Sequence, residues 1–354
     1  MTKNTIYLDA LANKKQTKIP VWFMRQAGRS LPEYKKIKGD DSILKVLNDP
    51  DRSATITLQP VERYNVDAAV LYSDIMVPLI ASGIDITIEE GVGPVVKDTI
   101  DSTEGLKIMN TEIMDLNLGA QIETIKQIKH ISNVPLIGFV GAPFTLACYL
   151  IDKRPTRNWT KTQLVILKDP LFMKSLLIKL TDIVIKSLSI QIEAGIDAVQ
   201  IFDSWAGILS NDLFREFLKE PLKKIIDFIK SKNTPVTYFG LNNFVQLSTI
   251  SSLMPTCISL DSTIDLNQSR TIITGSISLQ GNLNPIYCLA DFNNLKSATE
   301  KVLIQGIASK RTSASSDIKN LTSGYVFNLG HGVLPDTDPK TLSKLVKFIH
   351  EYKF

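Results

Sequence analysis

The chain alternates short runs of apolar, β-forming residues with longer segments that have helical periodicity. Eight such runs occur, at 20–26, 66–74, 135–141, 198–204, 235–240, 257–262, 272–278 and 325–331. They are nearly continuously apolar rather than alternating, which is typical of strands buried on both faces of a parallel sheet. We therefore expect eight parallel strands with helices between them.

The segments between the runs predict helices. Residues 171–194 place apolar side chains three and four positions apart and stop at Gly195, a typical residue after the end of a helix. A similar pattern at 212–231 is interrupted by Pro221, which predicts two shorter helices there. Residues 290–306 form a further expected helix.

The repeated strand and helix pattern favours one (β/α)8 barrel of the TIM type, in a single domain spanning residues 1–354. A doubly wound sheet with a second domain is the less favoured α/β arrangement, because no linker divides the chain. Residues 263–271 leave room only for a short helix or an irregular link, and the polar stretch 310–320 is the best candidate for an exposed loop.

Composition narrows the class of protein. The 354 residues are 44% hydrophobic and 21% charged, with a net charge of +4 and no long run of like charges. A folded protein without a nucleic-acid-binding arm is expected. Three distant cysteines argue against a disulfide framework and favour a reducing compartment, the cytoplasm, and the N-terminal sequence has no export signal.

Residues 134–151 carry no charge and are long enough to cross a bilayer. Pro135, Gly138, Gly141 and Pro143 interrupt this stretch. It therefore predicts a strand, a tight turn and a helix with Pro143 in its first turn rather than a membrane span.

In such a barrel the carboxyl ends of all strands meet on one face, so polar residues at these ends form one candidate site. Arg25 and Arg29 follow the first run, and two guanidiniums there are suited to carboxylates or phosphates. Structural ion pairs, for example to Glu33 or Glu62, are an equally reasonable role for these arginines.

Asp74 ends an otherwise apolar run and is expected to be partly shielded from water. A functional carboxylate and a carboxylate that caps a loop or helix are both open interpretations. Asp203 and Ser204 end another run, but no GxSxG motif surrounds Ser204, so a hydrolase triad is poorly supported. His331, between two glycines, is the histidine best placed for function.

Other cofactor sites have little support in the sequence. It contains no CxxC or HExxH motif, so no metal site is expected. The GVGP sequence at 91–94 lacks the GxGxxG pattern of a nucleotide-binding loop and predicts a turn.

Six sequence blocks closely resemble the uroporphyrinogen decarboxylase family. They are PVWFMRQAGRSLPEY (20–34), LQPVERYNVDAAVLYSDI (58–75), GFVGAPFTLACYLI (138–151), IFDSWAG (201–207), QGNLNP (280–285) and FNLGHGVLPDTDP (327–339). The resemblance implies a (β/α)8 barrel, a homodimer and a reaction without a cofactor or metal. That reaction converts the four acetate arms of uroporphyrinogen III to methyl groups, giving coproporphyrinogen III in haem synthesis.

The resemblance also assigns site residues. The substrate-binding loop of the family matches Arg25, Gln26, Ala27, Gly28 and Arg29, its invariant aspartate matches Asp74, and its tyrosine, hydroxyl residue and histidine match Tyr149, Ser204 and His331. Asp74 and Arg25 are the expected catalytic residues. Two positions depart from the family pattern, because Ser262 stands where a tryptophan is usual and Asn284 where an aspartate is usual.

Two other classes remain as alternatives. Related barrels include corrinoid- or thiol-directed methyltransferases with zinc on His and Cys ligands, and Cys257, Cys288 and His331 lie near predicted strand ends without the expected HxC spacing. A tetrapyrrole carrier that binds its ligand unchanged is the non-enzymatic alternative.

Overall fold

The computed structural model describes residues 4–28, 30–89, 91–307 and 324–353. Its strands are β1 (Ala69–Val70), β2 (Ile86–Glu89), β3 (Gly93–Val96), β4 (Leu136–Gly141), β5 (Ala198–Asp203), β6 (Val236–Gly240), β7 (Cys257–Ser259), β8 (Ser278–Gln280) and β9 (Tyr325–Val326). Seven of them form a curled parallel sheet in the order β1-β4-β5-β6-β7-β8-β9, and β2 and β3 form a separate antiparallel hairpin.

Helices surround the sheet. They are α1 (Ile6–Leu11), α2 (Pro32–Lys38), α3 (Ile43–Leu47), α4 (Pro50–Tyr64), α5 (Val77–Ala81), α6 (Met114–Asn117), α7 (Gly119–Ile131), α8 (Pro143–Asp152), α9 (Thr160–Lys168), α10 (Pro170–Ala194), α11 (Asn211–Leu213), α12 (Lys219–Ser231), α13 (Leu247–Ser252), α14 (Leu266–Ile272), α15 (Phe292–Ile307) and α16 (Pro339–Glu351). The α/β class is as expected, whereas the sheet that the described residues form has seven strands and not eight.

The missing strand is the first predicted one. Residues 20–26 contribute one isolated parallel bridge, between Val21 and Phe327, instead of a regular strand. Two of its amides bond to side chains instead of to a neighbouring strand: the N–H of Val21 donates to Asp67 Oδ2 (2.9 Å) and that of Met24 to Asn328 Oδ1 (3.1 Å). An apolar run indicates that a segment is buried, but it does not show which groups accept the hydrogen bonds of its backbone N–H groups.

The prediction of a strand at 272–278 is wrong. Helix α14, capped by the side chain of Asp265, reaches Ile272, and β8 begins only at Ser278. Gly275 lies between them with φ +74°, a left-handed conformation that interrupts an extended chain. Of the short helix and the irregular link that the sequence allowed at 263–271, the short helix is present.

The two shorter helices predicted for 212–231 are replaced by a nearly continuous helical segment. A π-helical stretch, Phe214–Leu218, joins α11 to α12. Pro221 is the third residue of α12, which follows the π-helical stretch directly, so the helical segment continues through the proline.

The uncharged stretch 134–151 folds as predicted. It forms β4, a short turn and α8, which begins at Pro143. Within the described ranges, no helix combines the length and the apolar character that a membrane crossing requires. The polar stretch 310–320 lies outside the described residues.

A polar network fills part of the sheet interior. The indole N–H of Trp22 donates to Gln280 Oε1 (2.9 Å), and Gln280 Nε2 donates to Ser259 Oγ (2.9 Å) and Gln200 Oε1 (3.3 Å). These buried side chains fix the ring of Trp22, which also lines the cleft described below.

Candidate active site

A cleft of about 930 Å³, counting its open mouth, lies where residues after β1, β5 and the β9 segment converge. Its apolar wall includes Trp22, Phe139, Phe202 and Phe239. Its polar lining includes Arg25, Asp74, Ser204 and His331.

Asp74 is a half-buried carboxylate in this lining. Its Oδ1 accepts the N–H of Met76 (2.8 Å), just before α5 begins, so the capping role considered from the sequence is present. Removal from water raises the pKa of Asp74, while the Met76 N–H and the positive charge of Arg25 oppose that rise. Such a carboxylate gains most from a ligand that carries positive charge.

Arg25 lies in a loop with an unusual backbone. Its φ is +60°, a conformation that residues other than glycine adopt infrequently. The N–H of Val333 donates to the carbonyl of Met24 (2.8 Å), which ties this loop to the segment carrying His331 and Gly332. The carboxylate of Glu33, one of the partners considered for the two arginines, is bound by Arg63.

The rest of the arginine loop, which comprises residues 25–29, has mixed roles. Gln26 and Ala27 line the cleft, but the Gln26 amide is engaged internally, accepting from Phe23 N (3.0 Å) and donating to Ala68 O (3.0 Å). The main-chain N–H of Gln26 donates to the Phe23 carbonyl and is used within the loop. Gly28 has φ +135° and is not part of the lining, and Arg29 lies outside the described residues.

His331 and Ser204 line the cleft, whereas Tyr149 is not part of its lining. The pKa of His331 is lowered by the protein around its ring and by the charge of Arg25, although its side chain is accessible to solvent. Tyr149 is buried beside Trp159, with ring centroids 5.0 Å apart. Burial and the charge of Asp74 raise the pKa of Tyr149, so its hydroxyl stays protonated.

Sequence reasoning missed Tyr72 and Trp22, both of which line the cleft. They lie inside apolar runs, and nothing in the sequence pattern singled them out. The available signal was position, since Tyr72 precedes Asp74 by two residues at the same strand end.

The two departures from the family pattern have local consequences. Asn284 caps the turn of 3₁₀ helix at Pro285–Leu289 by accepting from the N–H of Ile286 (3.0 Å), a role an aspartate oxygen also fills. Ser262 packs against Gly330, where an added Cβ would collide with the backbone of Ser262. Neither residue lines the cleft.

The cysteines do not form a zinc-type cluster with His331. Burial raises the pKa of the Cys288 thiol to about 12 and also raises that of Cys257, which disfavours the thiolates that zinc requires. No group of three or more His, Cys, Asp or Glu side chains suited to a metal occurs in the part of the chain that the structure describes.

A curled parallel sheet with a polar cleft formed by the segments after its strands defines an α/β enzyme related to TIM barrels. The sequence model of one such family, described as "Uroporphyrinogen decarboxylase (URO-D)", matches residues 2–352. The chain belongs to the uroporphyrinogen decarboxylase family.

Curated relatives agree with this assignment. The chain is 38% identical to the uroporphyrinogen decarboxylase of Mycolicibacterium paratuberculosis, over 97% of this chain and 95% of that protein. It is also 38% identical to that of Bacillus subtilis, over 99% of this chain and 96% of that protein.

Solved structures show the fold that the chain shares. A methyltransferase from Methanosarcina mazei is 21% identical with a TM-score of 0.76, and the match covers 99% of both chains. A B12-independent methionine synthase from a Shewanella species is 10% identical with a TM-score of 0.55, over 85% of this chain and 87% of the other. At these identities the likeness concerns architecture alone.

Proposed function

We propose that the protein removes the four acetate carboxyl groups of uroporphyrinogen III as CO₂ and gives coproporphyrinogen III, a reaction of haem synthesis. The observation that carries the proposal is the half-buried carboxylate of Asp74, set beside Arg25 in a cleft with an aromatic wall. Family membership supports the substrate. The carboxylate of Asp74 is suited to stabilising a positively charged pyrrole ring. The guanidinium of Arg25 is suited to binding the carboxylate arms of the same substrate.

The electrons of the breaking bond need an acceptor, and the substrate's own pyrrole provides one. A proton adds to the pyrrole carbon next to the one that bears the acetate arm and generates a cationic, iminium-like ring, whose acetate-bearing carbon forms an exocyclic double bond as CO₂ departs. The C–C bond then breaks, its electrons neutralise the cation, and CO₂ leaves. A second proton completes the methyl group, and loss of the ring proton restores the aromatic pyrrole, so each arm consumes one proton in total.

Asp74 would stabilise the cationic ring by accepting hydrogen bonds from the pyrrole N–H groups. Unit charges about 4 Å apart at an effective dielectric of about 20 interact by about 4 kcal/mol, or roughly a thousandfold in rate. The raised pKa of Asp74 in the ligand-free protein fits this role, because a cationic ring would return the carboxylate to its charged form.

The substrate's eight carboxylates require donors around the cleft. Arg25 and Arg29 would hold side arms, with Arg25 as the alternative route for a proton to the ring carbon. An arginine almost never loses a proton, which makes it a poor general acid. Ser204, Tyr149 and His331 would hydrogen-bond further arms, as would the main-chain N–H of Ala27.

The wider assignments are also proposals. Residues 20–26 would complete a closed (β/α)8 barrel in a single domain, supported by hydrogen bonds from Phe327 N to Pro20 O (2.9 Å) and from Asp67 N to Val21 O (2.8 Å). A homodimer is supported by exposed apolar side chains after β6 and β8, Val245 and Ile286. The cytoplasm is supported by three free, buried cysteines.

The test is anaerobic incubation of the purified protein with uroporphyrinogen III, followed by separation of the oxidised products by carboxylate number. We expect heptacarboxylate to tetracarboxylate products, with full activity after treatment with a chelator. A tetrapyrrole carrier would return the substrate unchanged. Stoichiometric zinc together with loss of activity on chelation would favour the methyltransferase class.

A further inference from the structure

Tyr72 lies between β1 and Asp74 and lines the cleft as a half-buried side chain. Its hydroxyl oxygen is 3.1 Å from that of Tyr34, which is buried on α2. The two rings meet at an angle of 58° with centroids 5.8 Å apart. This tyrosine pair joins the helix after the arginine loop to the segment that carries Asp74.

A pair of hydroxyls that bond to each other has one hydrogen left over. One hydroxyl donates to the other, and the acceptor keeps its own proton for a third group. In the described part of the chain, neither hydroxyl has a further hydrogen-bond partner. The remaining proton is strengthened as a donor by the first hydrogen bond.

Both the position and the charge state of Tyr72 suit an anionic ligand. Burial, the bond to Tyr34 and the nearby charge of Asp74 all raise the pKa of Tyr72, so the hydroxyl remains neutral while substrate arms are ionised. A neutral hydroxyl donates to a carboxylate without forming an ion pair.

The difference between a neutral donor and an ion pair matters for the acetate arm that is decarboxylated. The acetate carboxylate loses its negative charge as CO₂ forms, so an arginine ion pair would stabilise the starting state more than the transition state. A neutral donor also orients the carboxylate, but it stabilises the starting state over the transition state by less than an arginine would. Arms that keep their carboxylates carry no such restriction and are better held by guanidiniums.

We propose that Tyr72, positioned by Tyr34, donates its hydroxyl to the acetate carboxylate that is about to leave. The hydrogen bond holds this carboxylate out of the pyrrole plane, so that the breaking C–C bond is aligned with the ring's π system. The proposal rests on the proposed decarboxylase activity. It adds a group that distinguishes reactive acetate arms from propionate arms.

The test uses Tyr72→Phe in the full-length protein. We expect kcat/KM for uroporphyrinogen III to fall roughly ten- to a hundredfold, the range for a lost hydrogen bond to a charged group. Coproporphyrinogen III has propionates and no acetates, so its inhibition constant should stay within about threefold. Tyr34→Phe, which leaves the Tyr72 hydroxyl in place, should give a smaller loss in the same direction.

Tyr7→Phe is the matched control, since its buried hydroxyl does not line the cleft. An unchanged kcat/KM in Tyr72→Phe overturns the proposal. So does an equal loss of coproporphyrinogen binding, which would indicate a propionate contact or a structural role. A parent protein that yields no decarboxylated product refutes the proposed function itself, whereas an active parent with an unaffected variant refutes only the role of Tyr72.

Discussion

Gly332 leaves the space that the side chain of Arg25 occupies. A Cβ at position 332 would lie 2.5 Å from Arg25 Cδ and 2.8 Å from Cγ, closer than real Cβ contacts. The glycine and the arginine are more than 300 residues apart in sequence, and both line the cleft. The GHG motif is therefore explained by the close approach of a guanidinium-bearing side chain.

Gly332→Ala should displace Arg25 with little loss of stability, because the clashing atoms belong to a flexible side chain. A misplacement of about 1 Å in a catalytic site lowers rates by up to roughly a hundredfold, and we expect kcat/KM to fall tenfold or more. Steady-state kinetics and thermal unfolding measure the two effects. Gly119→Ala is the control, since nothing lies within 4 Å of its Cβ position. Unchanged kinetics in Gly332→Ala would contradict the steric role.

Asp74→Asn keeps the acceptor for the Met76 N–H and removes the charge. Loss of about 4 kcal/mol of stabilisation of the cationic ring should lower kcat roughly a thousandfold. Product analysis after timed incubation gives the rate. Asp182→Asn, which removes an exposed ion pair with Lys224, should have no effect. Turnover within a few-fold of the parent protein would show that Asp74 does not stabilise a cation.

His331 should couple substrate binding to proton uptake. Its pKa is below the ordinary value, so the ring is neutral near neutral pH in the ligand-free protein, and a bound carboxylate favours the protonated form. The KM should therefore fall as pH drops from about 8 to about 5.5, by at most roughly tenfold per pH unit. His331→Gln should lose this dependence, and retention of the same profile would exclude His331 as its source.

Asp203 should make stability depend on pH in the opposite sense to a typical surface carboxylate. Burial raises its pKa from 3.8 to about 6, although Thr145 and Tyr238 donate hydroxyl hydrogen bonds to it. A raised folded-state pKa contributes stability that is fully present below pH 3.8 and is lost as pH rises through about 6.

Urea unfolding of the parent protein and Asp203→Asn across this range tests the prediction. As pH rises through this range, the free energy of unfolding of the parent should fall by about 3 kcal/mol relative to that of the variant. Hydroxyls at Thr145 and Tyr238 are able to reorient toward an amide, so the variant should fold. A difference that does not change with pH would mean that Asp203 titrates normally.

The interior strands were predictable to within about a residue, because burial on both faces leaves a nearly continuous apolar run. Strands β4, β5 and β6 are the examples. The predictions failed at 20–26 and 272–278. At the first, side-chain acceptors replace a strand partner, and at the second, a helix and a left-handed glycine occupy the apolar residues.

The polar part of the cleft was predictable for a different reason. Arg25, Asp74, Ser204 and His331 all lie at or just beyond apolar runs, and strand ends converge on one face. Tyr72 was not predictable, since a tyrosine within an apolar run has the pattern of a core residue, and only the folded structure brings its hydroxyl beside that of Tyr34. The internal hydrogen bonds of Gln26 likewise require the folded loop.

The side chains of the segment after Pro20 do not alternate between two faces, as those of a pleated strand do. In a strand, neighbouring side chains point to opposite faces, so at most every second residue reaches a given surface. Here Met24, Arg25, Gln26 and Ala27 all reach the same opening, four in succession. Some backbone N–H groups of this segment bond to side chains and not to a neighbouring strand. As a result, four consecutive residues can contact a large ligand with many carboxylate arms, which a regular strand of the same length could not do.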